Sequence, residues 1–342
     1  MKPNTLKKAP IVLFVYNRAN HIQKTVNALK RNVYAKDSDL IIYSDAAKNH
    51  DDKQKVELVR NYIHKITGFK SIKIVERELN YGLSKSIISG VTEVVNKWGK
   101  VIVLEDDMET SKYFLKYMNE ALQMYKDEDS VISIHGYIYP VIGPLPETYF
   151  LHGADCWGWA TWKRGWKLFE PDGKKLKRDL IRNNLIFRLN WSGSINYLQM
   201  LNDQIDGKND SWAIRWLASA IINHKYTLYP GHSLVRNIGL DGSGIHSISD
   251  PTLDSKIEND KSISLKRQQV IEHSQAANVI KKYFESKKVN KFNHIIIKLN
   301  YFYNKLFSKS KYGWFGNYQS WQEALNHSSS YQNKNILIKT ID

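Results

Sequence analysis

Apolar positions along the first 135 residues fall into two alternating textures. Ile11-Val12-Leu13-Phe14-Val15-Tyr16, Leu40-Ile41-Ile42-Tyr43 and Val101-Ile102-Val103-Leu104 are short apolar or β-branched runs, the signature of buried strands, and residues 71–75 read as a further strand. Between them Ile22, Val26 and Leu29, then Val56, Val59, Ile63 and Ile66, then Phe114, Leu115, Met118, Leu122 and Tyr125 recur at helical spacing. The pattern predicts helices near residues 21–31, 52–67, 83–97 and 112–126. Strand-helix repetition of this length predicts an α/β fold, a mostly parallel sheet flanked by helices on both faces. Such sheets bind ligands at the carboxyl ends of their strands.

Beyond residue 140 the texture changes. Pro140, Gly143, Pro144 and Pro146 punctuate the chain before Asp155-Cys156-Trp157-Gly158-Trp159-Ala160-Thr161-Trp162. Tryptophans this dense form either a packed wall or a platform for the apolar face of a sugar ring. Residues 211–222 read as a buried helix and 226–229 as a short strand. Residues 237–246 form a glycine-rich loop ending in His246, whose backbone amides suit a phosphate and whose imidazole suits a cation or a phosphate oxygen; a solvated loop with an incidental histidine is the plainer reading.

Polar residues gather where the sheet rule wants them. Asn17-Arg18 follows the first strand, Ser44-Asp45 the second, Arg77 and Asn80 the third, and Glu105-Asp106-Asp107 the fourth. Hard carboxylate oxygens at a strand end suit Mg²⁺ or Mn²⁺, which complete their shells with water and a diphosphate. The same acids also serve to cap the following helix, and Asn and Asp favour turns in any protein.

The formal net charge is +16 at pH 7, which calls for an anionic partner: a nucleic acid, a membrane surface or a small substrate. Between Lys281 and Lys311 nine lysines accompany one acid, Glu285, among Phe284, Phe292, Ile295, Tyr301 and Phe307, a basic amphipathic segment suited to an anionic membrane. No apolar stretch approaches the roughly 20 residues needed to span a bilayer, and the start lacks a signal-peptide core, so a cytoplasmic protein, peripheral on the inner face of the cell membrane, is expected. The single cysteine, Cys156, excludes an internal disulfide and reads as a small buried hydrophobe.

The ordered series residues 10–18, Ser44-Asp45, Asn80-Tyr81-Gly82-Leu83, Val103-Leu104-Glu105-Asp106-Asp107 and Trp157-Gly158-Trp159-Ala160-Thr161-Trp162 resembles bacterial glycosyltransferases of the GT-A (Rossmann-like) fold. These are grouped with glycosyltransferase family 2 and are similar in motif order to N-acetylglucosaminyltransferase I. The resemblance covers roughly residues 8–250 and implies a GT-A domain over 1–250, with a nucleotide-sugar half near 8–135 and an acceptor half near 136–250. A basic, mainly helical extension would occupy 251–342. It further implies a metal-dependent, inverting hexosyl- or N-acetylhexosaminyltransferase acting on a UDP-sugar donor and a glycan or lipid-linked acceptor in surface-polysaccharide biosynthesis.

Carried over by position, Asp107 would ligate Mn²⁺ or Mg²⁺, joined by His246. Glu105 and Asp106 would hold the ribose and donor sugar, Arg18 and Asp45 the base, and Asn17 and Asn80 the nucleotide. Trp157 and Trp159 would line the donor-sugar and acceptor pocket. Asp210, beside Trp212, is the candidate base, with Asp155 as the alternative, because Ala213 stands where relatives carry an acid. A second, shorter resemblance links Tyr312-Gly313-Trp314-Phe315-Gly316-Asn317-Tyr318 to the opening of a putative methyltransferase family, as a truncated fusion or a docking tail. A nucleotidyltransferase would want glycines where Asn17-Arg18-Ala19-Asn20 stands. A nucleic-acid-binding protein would leave the acidic rim unexplained, so no nucleic-acid partner is expected.

Overall fold

In the computed structural model, which describes residues 7–242 and 251–288, the four expected strands become parallel neighbours in one sheet. The chain divides into two units, Met1–Tyr283 and Phe284–Asp342, and the sheet belongs to the first. Strand β1 (Ile11–Val15) leads through α1 (Ala19–Lys30) to β2 (Asp39–Ser44), then through α2 (His50–Ile63) to β3 (Ser71–Glu76), and through α3 (Gly82–Trp98) to β4 (Lys100–Glu105). The short β5 (Met108–Thr110), α4 (Phe114–Met124), β6 (Val131–His135), β7 (Thr148–His152) and β8 (Trp159–Trp162) come next. Helices α5 (Lys163–Trp166), α6 (Gly173–Arg182), α7 (Ile186–Leu189), α8 (Tyr197–Ile205) and α9 (Trp212–Ile222) precede β9 (Tyr226–Pro230) and β10 (Val235–Asn237).

The main sheet has the order β3-β2-β1-β4-β8-β6-β9-β7. β1, β2, β3 and β4 are mutually parallel, whereas β8 runs antiparallel to β4 and β6, and β7 antiparallel to β9. Strands winding outward from β1 to β3, followed by β4 on the other side of β1, create a reversal of winding between β1 and β4. A crevice opens at such a reversal at the strands' carboxyl ends. Arg18 follows one of these strands and Glu105 ends the other.

Alternation along β1 assigns its side chains to two cores. Ile11, Leu13 and Val15 pack with the apolar faces of α1, α2 and α4, while Val12 and Phe14 pack with α3, α5 and α9. A third cluster joins α6, α7, α8 and α9. Trp159, Trp166, Trp212 and Trp216 lie inside the second core with centroids 5.2–5.7 Å apart. Trp159 has no exposed surface. This corrects its expected place in the sugar pocket, because a ring sealed among three indoles has no face to offer.

The first unit runs on past residue 250 to Tyr283. Residues 251–283 are tied to the sheet by a bridge between Phe150 and Glu272 and by the Tyr137 hydroxyl donating to the Leu253 carbonyl, 2.6 Å. Ile263, Ala276 and Ile280 are their buried apolar anchors, too sparse to mark the segment as core in the sequence. The expected helix over 112–126 is trimmed to Phe114–Met124. No described helix is long and apolar enough to cross a membrane.

Gly90 shows how closely α3 seats on β1 and β2: a Cβ there would lie 2.8 Å from the Phe14 ring and 3.0 Å from Tyr43. Those rings are stacked, 5.4 Å apart, and have no room to yield. Gly90→Ala should therefore destabilise by about 1–3 kcal/mol despite the better helix propensity of alanine, read as a lowered denaturation midpoint; a raised midpoint would refute this packing.

Candidate active site

The triplet that ends β4 is bound to the residue that follows β1. Phe14 pairs with Glu105 across the β1–β4 ladder, which carries Arg18 over the two acids beyond. The Arg18 guanidinium bridges both: Nη2 donates to an Asp106 oxygen in a short contact and to Asp107 Oδ2 at 2.8 Å, and Nε reaches the other Asp106 oxygen at 3.4 Å. The backbone is gripped as well. Thr25 on α1 donates its hydroxyl to the Asp106 carbonyl, 2.8 Å, and the Ile238 amide donates to the Asp107 carbonyl, 2.9 Å. Antiparallel pairing of β10 with β5 brings that second grip, and with it residues 237–242, onto the triplet.

Burial and crowding set the protonation of these acids. Burial, then repulsion from Asp107 and Asp106, pushes the Glu105 carboxyl up to about 8, against the pull of Arg18. Burial also pushes Asp106 up to about 6, with Arg18 opposing and Asp107 adding. Burial works against the Arg18 charge, but attraction to Asp106 and Asp107 outweighs it and raises the guanidinium pKa. Asp107 keeps one oxygen, Oδ1, buried without a hydrogen-bond partner, an arrangement that costs free energy unless something positive approaches it. Gly239 presses on the other side: a Cβ there would sit 2.2 Å from Asp107 Oδ2 and 2.9 Å from Arg18 Nη1. Only a residue without a side chain passes there.

The other rim residues use their polar groups locally. Asp45 accepts from the amides of Ala46, Tyr81 and Gly82 at 2.8–3.0 Å, holding the N-terminus of α3. Asn80 donates to the Ala46 carbonyl, 2.6 Å. Asn17 and Tyr16 both donate to Asp52 on α2, at 2.9 and 2.8 Å. Thus Arg18, expected at the base, is committed to the acids, and Asp45 and Asn17 brace helices. Trp157 is half-buried, with its ring 4.7 Å edge-on from Tyr137. Gly158 after it takes φ +64°, and a Cβ would meet Val235 at 2.6 Å, so the turn between the two tryptophans requires glycine. His246 lies outside the described residues, as do residues 289–342, with most of the basic segment and the Tyr312–Tyr318 motif.

The two candidate bases occupy different settings. Asp155 is 22% exposed and receives the Tyr139 hydroxyl at 3.1 Å and the Cys156 amide at 2.8 Å, with His135 Nε2 at 3.7 Å. Burial raises the Cys156 thiol well above its ordinary range, with Asp155, Glu105 and Asp107 adding to the effect. Asp210 is 62% exposed, 3.6 Å from Arg215. It lines an open groove of about 610 Å³ with Ser84, Lys85, Ser89, Thr92 and Arg215, and one of its oxygens is 4.0 Å from where a Cβ on Gly82 would stand.

A sheet reversal with a carboxylate triplet on one rim is the frame that nucleotide-sugar enzymes use, and residues 11–170 match the model of glycosyl transferase family 2. That match covers just under half of the chain. Among solved structures the chain is similar to S. aureus TarS (16% identity, 44% of this chain and 25% of that one, TM-score 0.29) and to its fragment 1–349 (15%, 47% and 48%, 0.31). It is also similar to the mannosyltransferase PcManGT from Pyrobaculum calidifontis (10%, 65% and 70%, 0.35). The chain thus spans a quarter of one TarS structure and about half of the other. A comparison with curated proteins finds no match.

Among the described residues, no group of three or more His, Cys, Asp or Glu side chains is gathered as a metal cage. Mg²⁺ or Mn²⁺ at a diphosphate site needs only one or two carboxylates, with substrate and water supplying the rest. The unpartnered Asp107 Oδ1 is the donor that fits. Sequence reasoning missed the Arg18 bridge, Thr25 and the closeness of Gly239; the glycine-rich texture flagged the loop but not what it touches.

The raised Glu105 carboxyl makes a pH prediction. Its folded value lies above the unfolded one, so the unfolded chain gives up this proton first as pH rises, and stability from Glu105 is lost between about pH 4.5 and 8. Glu105→Gln removes that dependence. The melting temperature of the wild-type protein relative to this variant should fall steadily across the window, and a difference independent of pH would contradict it.

Proposed function

We propose that the protein transfers a sugar from a nucleoside-diphosphate donor, with UDP as the expected nucleotide, to a hydroxyl of a glycan or lipid-linked acceptor in surface-polysaccharide biosynthesis, with inversion at the anomeric carbon. The observation that carries the reading is the half-satisfied Asp107 carboxylate beside Arg18, at the reversal between β1 and β4 inside the stretch that matches family 2. Asp107 would hold Mn²⁺ or Mg²⁺. Such a cation, when bound, neutralises charge growing on the departing diphosphate. Arg18 supplies a second positive group on the same side, and Trp157 an apolar edge for the sugar ring.

Asp210 is the proposed base. It must reach an acceptor arriving from solvent, and it stands at the open groove with most of its carboxyl exposed. Asp155 is less exposed, and its oxygens are occupied by the Tyr139 hydroxyl and the Cys156 amide. Asp155 then orients Tyr139 and the Trp157 turn. The basic stretch from Lys281 onward would hold the enzyme at an anionic membrane face, where lipid-linked acceptors are presented.

A thermal-shift screen of UDP- and GDP-sugars with and without Mn²⁺ tests the donor class, since the matched donor stabilises by mass action. Stabilisation by none of them in either condition would sink the proposal. Asp107→Asn should abolish metal-stimulated donor hydrolysis while leaving the melting temperature within a few degrees, because a rim carboxylate contributes little packing; retained activity would remove the cation from Asp107. Asp210→Asn should lower kcat by about 10²-fold or more with KM nearly constant. Asp155→Asn should cost less, and the opposite ranking would exchange their roles.

A further inference from the structure

Asp107 is asked to serve two cations. Its Oδ2 is taken by Arg18 at 2.8 Å while Oδ1 is buried and unpartnered, so a divalent ion at this carboxylate would stand within a few ångströms of a guanidinium that cannot lose its proton. Like charges that close, in a partly desolvated setting, repel strongly. Arg18 cannot retreat easily, because Gly239 lies against Nη1, the loop that carries this glycine is fastened to the Asp107 carbonyl, and His21 pairs with Asp241 at 3.2 Å. Arg18 is also the basic side chain that forms ion pairs with both Asp106 and Asp107.

We propose that Arg18 is a positioning residue that competes with the divalent cation for Asp107 and so sets how tightly the cation binds. The inference rests on the metal reading above. Binding of the ion frees the guanidinium from Asp107, while Asp106 retains its end of the bridge. An arriving diphosphate gives the freed side a new anionic partner, because guanidinium pairs with phosphate in the same forked geometry as with carboxylate. Cation and diphosphate therefore favour each other's binding through Arg18, in addition to any direct contact between them. A purely structural arginine, one that merely keeps the acids in place, would act in the opposite sense: its loss would scatter the ligands and weaken the cation.

The sign of the effect is measurable without turnover. Mn²⁺ binding to the full chain, followed by loss of the free-ion paramagnetic resonance signal in the absence of nucleotide, is compared for wild type, Arg18→Met, Arg18→Lys and Asp107→Asn. Arg18→Met should bind Mn²⁺ at least about tenfold more tightly than wild type, the worth of one charge-assisted pair, with Arg18→Lys between them. Adding UDP or GDP should tighten Mn²⁺ more in wild type than in Arg18→Met. Equal or weaker Mn²⁺ binding in Arg18→Met overturns the proposal, and if that variant fails to melt cooperatively, the same comparison with Arg18→Lys decides. Wild-type binding that is lost in Asp107→Asn keeps the metal reading standing even when the arginine variants go the wrong way. Absence of Asp107-dependent binding in every variant removes both.

Discussion

The bridge from Arg18 to Asp106 and Asp107 is the contact around which the site is arranged. Three consecutive carboxyls on a partly buried rim repel one another, and unit charges about 4 Å apart near a protein surface interact by roughly 4 kcal/mol. One guanidinium touching two of them offsets part of that repulsion, and burial, with the repulsion that remains, raises the Glu105 and Asp106 carboxyls. The backbone cannot relax away, since Thr25 and Ile238 fasten the two carbonyls. The fold thus holds the acids in an unfavourable arrangement that added positive charge relieves. That is the property expected of a site for a cation and a leaving diphosphate.

Strand order creates this geometry from distant sequence. Arg18 and Asp107 are 89 positions apart, and they meet because β4 returns to the free side of β1 after β2 and β3 have filled the other. The same reversal separates the cleft into two flanks. Asp45, Asn80 and Gly82 lie on the β2 side, where helix α3 begins, and Asp155 and Trp157 lie on the side of the returning strands. Glycines at 158 and 239 allow backbone from the second half of the chain to close on the first without side chains intervening.

The central strands were legible because burial on both faces demands unbroken apolar runs, and β1, β2 and β4 supply them, whereas the edge strand β3 alternates Ile72 and Ile74 with exposed Ser71 and Lys73. The acidic triplet was legible because polarity at a strand end is local information. The Arg18 partnership was not, since nothing near residue 18 announces which acids the sheet will bring to it. The resemblance placed Trp157 and Trp159 together in the pocket, but the positive φ of Gly158 turns the chain between them just before β8 begins. One ring stays beside the cleft and the other enters the core. Residues 251–283 read as an extension because they are attached through polar groups and a few apolar anchors rather than an apolar stripe.

The contrast between the acidic triplet and the open groove at Asp210 bears on why the proposed base is separate from the triplet. At the β4 end low exposure strengthens every charge, which favours holding an ion and an anion together but raises carboxyl pKa values, so that a group such as Glu105 is partly protonated near neutrality. A carboxylate there would be a poor recipient of protons from acceptor hydroxyls arriving through solvent, being both crowded and shielded. At the mouth of α3 the setting is reversed. Asp210 is open to water, its nearest charged neighbour is Arg215, and that arginine is itself fixed by the Ser211 and Pro171 carbonyls at 3.2 Å. That exposure leaves Asp210 reachable from solvent, apart from the crowded acids where the leaving group would be stabilised.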